Sequence, residues 1–196
     1  MTLVDLGPAT RTMADLVTGV TDDMLDRLTP CPRYSLGDLL DHVGGLTVAF
    51  TAAATKATGG PESPGPSGDS SRLGEGWRTR IPHDLAILAE AWRDPAAWSG
   101  TTWAGGVELP GEVAGVVALD ELVIHGWDVA RASGQAYECD PESLEIVRDF
   151  VAQFSGPGHE AEREGLFGPE IDTARDAPLL DRVIGCTGRD PAWRPS

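Results

Sequence analysis

Residues 121–130 read E-L-V-I-H-G-W-D-V-A, and the phase of this stretch decides how the chain folds. An apolar run at helical spacing carries three ionisable groups, Glu121, His125 and Asp128. Burying an unpaired charge costs roughly several kcal/mol, or shifts the protonation state instead. On a helix turning about 100° per residue, His125 lies about 40° from Glu121 and Asp128 about 20° to the other side. Ala114, Ala118 and Ala132 share that face, while the bulky Val113, Val116, Val123, Ile124 and Trp127 point elsewhere. A face of small residues bearing a carboxylate and an imidazole one turn apart leaves room for another group. The periodicity predicts a helix over about residues 112–132.

Working outward, a first helix is expected over about residues 8–20, where Met13, Leu16, Val17 and Val20 recur at helical intervals. T-P-C-P-R-Y, residues 29–34, carries two prolines and reads as a stiff, non-helical connection. The second helix opens at Ser35, whose spacing to Asp38 is that of a capping box. Leu36, Leu39, Leu40, Val43, Leu46 and Phe50 then form one stripe, with His42 at its edge. Residues 58–71, rich in Gly, Pro and Ser, read as a long flexible crossover. A third helix is expected over about residues 82–92, followed by a break with a short extended excursion around Trp103. Asp140 and Pro141 supply a cap and first-turn proline for a fifth helix ending near Phe154, and residues 178–184 read as a last short helix. Four long amphipathic helices with short C-terminal helical additions make an all-α four-helix bundle, a single domain spanning residues 1–196.

The composition is that of an ordinary soluble chain, 41% hydrophobic and 23% charged. A formal charge of -16 argues against nucleic acid or an anionic membrane as partner. No apolar run is long enough to span a membrane, and no charged start precedes a hydrophobic signal core. Three scattered cysteines, Cys31, Cys139 and Cys186, fit unpaired thiols in a reducing cytoplasm, without a C-x-x-C metal clip. Lys56 is the sole lysine, and with abundant Ala, Gly, Asp and Pro this suggests a GC-rich bacterial genome.

Positions i and i+4 converge on one side of a helix, so Glu121 and His125 can share an ion. His42, projecting from the second helix into the same interior, supplies a third donor. Two histidines and a carboxylate form a common open divalent site with positions left for water or substrate. The plainer reading is a hydrogen-bonded surface pair, and E-x-x-x-H by itself does not exclude it. Asp128 reads either as an acceptor for a ligand histidine or as a partner of Arg131. Arg78 and Arg80, placed before the third helix, are candidates for binding a carboxylate substrate, though exposed charge is the simpler account. Trp127 reads as core, His83 and His159 as solvated, and Cys31 as a packed small residue.

C-P-R-Y-S-L-G-D-L-L-D-H-V, E-L-V-I-H-G-W-D-V-A-R-A-S-G-Q and the closing G-R-D-P-A-W together resemble the DinB-like superfamily. The branch is that of the N-terminal domain of mycothiol-dependent maleylpyruvate isomerase, and the resemblance runs from the first helix through the tail. H-G-W-D preceded by E-x-x-x is its most specific element. The resemblance implies a DinB-like four-helix bundle with a divalent metal, zinc by preference, on His42, Glu121 and His125. It also implies mycothiol or a similar thiol as cofactor, and a small electrophile as substrate. Tyr34 stands where the branch commonly has tryptophan, and the chain ends too early for the isomerase's further C-terminal domain. The expected protein is therefore a cytoplasmic metal- and thiol-dependent transferase or isomerase, with a homodimer left open. A thiol-free metallohydrolase and a non-catalytic metal-binding sensor remain the alternatives, and no catalytic residue beyond the ligands is identified. An ordinary histidine value implies activity falling below about pH 6.5.

Overall fold

The computed structural model describes residues 3–57 and 65–195. Four long helices form the bundle: α1 (Gly7–Gly19), α2 (Leu36–Ala54), α3 (Trp77–Ala91) and α4 (Gly111–Ser133). Each of α1 and α2 packs against both α3 and α4. Between α3 and α4 the chain makes a two-stranded antiparallel hairpin, β1 (Thr101–Ala104) and β2 (Val107–Pro110). This hairpin is the extended excursion expected around Trp103. Three further helices follow, α5 (Pro141–Val151), α6 (Glu160–Arg163) and α7 (Leu179–Cys186), of which α6 has no sequence counterpart.

Local chemistry explains where α2 and α5 begin. Ser35 and Asp38 form the full capping box, with Asp38 N donating to Ser35 Oγ at 3.2 Å and Ser35 N to Asp38 Oδ2 at 3.0 Å. The stripe behind it buries Leu36, Leu39, Leu40, Val43 and Phe50 in the core. Asp140 caps α5 by accepting from Ser143 N at 2.9 Å, with Pro141 in its first turn.

The start of α3 corrects the sequence reading. The helix begins at Trp77, five residues before Pro82, and carries that proline inside it. Proline removes an intrahelical hydrogen bond and normally costs about 3 kcal/mol there. The extra turn nevertheless buries Trp77 and Ile81, and Arg78 stacks on the Trp77 ring at 4.2 Å. Packing thus overrides local propensity, and Gly76, at φ 75°, provides the left-handed turn that starts the helix.

Two other expectations change. Of the crossover over residues 58–71, the first half lies outside the described residues, but the second half is tied to α2. Asp69 N donates to Asp41 Oδ2 at 3.1 Å and Ser70 N to Asp38 Oδ1 at 2.8 Å. The α4 helix is also less one-sided than its phase suggests, being buried almost continuously from Ala118 to Ala130 with Glu121 as the partial exception. A helix enclosed on all sides is a core helix, and α4 has α1, α2, α5, the hairpin and the 95–98 turn around it. No helix among the described residues is long and apolar enough to cross a membrane.

Candidate metal centre

His42 on α2 meets Glu121 and His125 on α4, the helix that packs beside it. One nitrogen or oxygen from each of the three lies within 4.8 Å of the others, the one such group found among the described residues. Glu121 Oε2 stands 3.1 Å from His125 Nε2 and 3.9 Å from His42 Nε2. The two imidazoles meet edge to face, with ring centres 5.1 Å apart. Donors about 2.0–2.2 Å from a shared zinc ion lie about 3–4 Å from one another, so the Glu121 spacings suit such an ion.

Both rings are fixed from behind. His42 Nδ1 lies 2.8 Å from the Pro66 carbonyl oxygen, and His125 Nδ1 lies 2.9 Å from Asp128 Oδ2. Each acceptor favours a proton on Nδ1, which turns the Nε2 lone pair of a neutral ring toward the centre. Tyr34 adds a tilted ring contact to His42 at 5.1 Å, and its loop is folded back by Thr29, whose hydroxyl donates to the Cys31 and Tyr34 carbonyls.

The charges are arranged for a cation. Burial opposes ionisation of Glu121, but hydrogen bonds from His125 and His42 hold its carboxyl well below the usual range. Burial likewise disfavours the charged form of His125, yet its bonds to Asp128 and Glu121 raise it to about 9. The metal-free centre at neutral pH therefore holds a proton on His125 between two carboxylates. A divalent ion, which needs a neutral imidazole and ionised carboxylate, would take the place of that proton. The donor set fits the group.

Access is one-sided. The Glu121 side chain is 30% exposed, against 12% for His42 and 8% for His125. Inward, Met13, Val43, Phe50, Leu88 and Leu122 leave beside Glu121 an apolar space with room for about one water molecule. The open approach to the centre is therefore from the solvent side.

Asp128 has no exposed side-chain surface and is paired with Arg189, while Arg131 lies over the Trp127 ring at 5.1 Å and donates to the Pro191 carbonyl. Arg78 and Arg80 lie in the first turn of α3. Arg78 binds the Val20 carbonyl and Asp22 Oδ1, and Arg80 binds the Leu73 carbonyl and sits 3.9 Å from Asp84. Trp127 and Cys31 are buried, His83 is exposed, and half-exposed His159 pairs with Glu162.

The Pro66 carbonyl and Asp120 had no sequence signal, and Arg189 had only its place in the closing G-R-D-P-A-W stretch. Asp120 is buried with Oδ1 unpartnered, and burial followed by the neighbouring Glu121 charge pushes it up to about 8. Only its position beside Glu121, in a helix enclosed on both flanks, distinguishes it.

Comparison with known proteins places this chain in a family. Across two strains of Mycobacterium tuberculosis, chains described as uncharacterised are 28% identical over 181 residues, covering 90% of this chain and 91% of theirs. A crystal structure of the mycothiol-dependent maleylpyruvate isomerase superposes with a TM-score of 0.56 at 18% identity, covering 76% of this chain and 70% of that one. That likeness establishes the DinB-like fold. A family model matches residues 6–130, the segment holding all four bundle helices except the last three residues of α4, together with the three clustered donors. The chain belongs to the mycothiol maleylpyruvate isomerase N-terminal domain family.

Proposed function

We propose that this protein is a metal-dependent enzyme that activates a low-molecular-weight thiol of the mycothiol type for attack on a small electrophile. The carrying observation is the centre itself: two histidines with Nδ1 engaged from behind, converging through Nε2 on one ionised glutamate. A divalent cation held by His42, Glu121 and His125, with zinc the best match to the donors, would supply a thiolate at neutral pH. Family membership supports mycothiol as the thiol. The reaction class is sulfur addition to a conjugated double bond or displacement of a leaving group.

Each residue has a distinct part in this reading. The Pro66 carbonyl and Asp128 keep the two rings in the tautomer that faces inward. Glu121 contributes one negative charge to offset the cation and forms the exposed wall past which reactants enter. With all three donors occupied as ligands, none serves as a general base. No substrate role is assigned to Arg78 or Arg80, whose guanidinium groups are held by Val20 and Asp22 and by Leu73 and Asp84. Dependence on such a thiol places the enzyme in the cytoplasm, where thiols stay reduced.

Metal analysis of protein purified without an affinity tag is the first test. Stoichiometric divalent metal in the wild type and its loss in His42→Ala is the expected result. The metal-loaded protein should then consume mycothiol, or a comparable thiol, in the presence of an electrophile panel. Thiol-independent hydrolysis of an ester or amide would replace this reading with a metallohydrolase. Tight metal binding without turnover, alongside a stable protein partner, would replace it with a sensor.

A further inference from the structure

We propose that Arg189 is a positioning residue for the metal centre, acting on His125 through Asp128. The inference rests on the reading of His42, Glu121 and His125 as metal ligands. It assigns a role in that centre to the C-terminal segment, which lies beyond the residues 6–130 matched by the family model.

The contact is a fork on a fully buried carboxylate. Arg189 Nε lies 2.8 Å from Asp128 Oδ1 and 3.0 Å from Oδ2, and Nη2 lies 2.9 Å from Oδ2. Asp128 Oδ2 is also the atom that His125 Nδ1 meets at 2.9 Å. A carboxylate held at one oxygen can still swing about its own bond, whereas a planar guanidinium gripping both oxygens fixes its plane. With that plane fixed, one Asp128 oxygen stays aimed at Nδ1 and His125 keeps Nε2 toward Glu121. The simple alternative is that the pair merely staples the tail to α4, leaving His125 indifferent to it. The shared oxygen argues against that, because the atom that anchors the tail is the atom that orients the ligand.

The fold delivers Arg189 to this place deliberately. At the end of α7 the chain turns through Gly188 at φ 82°, where an added Cβ would meet the Gly168 backbone at 2.6 Å. Only glycine fits that turn. Arg189 N then bonds back to the Ile184 carbonyl at 3.2 Å, and the Arg131 side chain holds the Pro191 carbonyl two residues on. The arginine therefore leaves a braced backbone rather than a free end.

The test uses the full chain as wild type, Arg189→Met and Arg189→Lys. Zinc affinity is measured by competition with a chelating dye, and the His125 Nδ1 proton by nitrogen-edited NMR of the metal-free protein. The expected result is about 10- to 100-fold weaker zinc binding in Arg189→Met. Its His125 Nδ1 proton signal should broaden or vanish through exchange with water. Arg189→Lys, which keeps the charge without the fork, should fall between the two and retain the signal at a shifted position. Wild-type affinity with an unchanged signal in Arg189→Met overturns the proposal, and so does weaker zinc binding with an unchanged signal, which indicates general loosening. If circular dichroism finds Arg189→Met unfolded, Arg189→Lys decides: unaltered affinity and signal overturn the proposal, and a loss of about threefold or more with a shifted signal upholds it. If the wild type itself binds no zinc, the metal reading fails on its own, and the NMR signal alone still judges Arg189.

Discussion

At the residue scale, His125 is the position where a proton and the proposed metal ion would compete for one site. Its imidazole is raised to about 9 although burial opposes the charge, because Asp128 and Glu121 flank it with hydrogen bonds and negative charge. In the metal-free chain at pH 7 the Nε2 proton therefore sits where the ion would bind. Loading must expel that proton, so apparent metal affinity rises with pH until His125 is neutral on its own, near 9. Release of one proton corresponds to about tenfold tighter binding per pH unit below that point. Calorimetry of zinc binding in two buffers of different ionisation enthalpy, at about pH 7 and pH 8, should register close to one proton released per ion. A pH-independent affinity across that interval would show that His125 is already neutral. The same sign sets a stability effect: the raised value stabilises the metal-free fold below the ordinary histidine pKa, and this contribution disappears as pH rises through about 9. The drop below about pH 6.5 expected from an ordinary imidazole thus moves upward for loading.

At the element scale, the legible features were those written into nearby residues. The capping box of Ser35 and Asp38, the Asp140-Pro141 start of α5 and the apolar stripe of α2 were all readable because the partners lie within a turn or two. His42, Glu121 and His125 were readable as a trio because helical phase places them and the family resemblance joins them. What stayed hidden depends on distant partners. The early start of α3 depends on burying Trp77 and Ile81, and the tethering of residues 65–72 on carboxylates of α2. Arg189 reaches Asp128 from 61 residues away, a distance no local pattern spans. Two substitutions probe both kinds of determinant. Ser35→Ala removes a local cap and should cost about 1 kcal/mol by urea titration. Gly115→Ala places a methyl group 2.4 Å from the Trp98 ring, in the corner where Trp98 packs on Trp92 at 4.9 Å. Overpacking there should cost about 1–3 kcal/mol, although alanine is the better helix former. If Gly115→Ala stabilises the protein instead, helix propensity outweighs the packing at that crossing.

At the scale of the whole molecule, the candidate centre joins only half of the bundle. Its donors come from α2 and α4, while α1 and α3 contribute apolar packing, and the tail reaches it through Arg189. Among the described residues, metal binding would thus add a cross-link between two helices already in contact, without having to assemble the fold. The chain should accordingly be folded without metal, unlike a zinc finger, and gain stability by simple linkage when metal is added. At free zinc about a hundred times the dissociation constant, that gain is about 2.7 kcal/mol. For a chain of 196 residues this corresponds to a rise in Tm of roughly 5–10 °C. His42→Ala should keep most of the metal-free Tm, because the buried apolar stripe of α2 beside it stays intact, but it should lose most of the zinc-dependent rise. Differential scanning fluorimetry with and without zinc measures both quantities on the same sample. A wild-type Tm indifferent to zinc would remove the metal from the account. A metal-free wild type without helical circular dichroism would instead make the ion a folding element, and the bundle's apolar core would then be insufficient by itself.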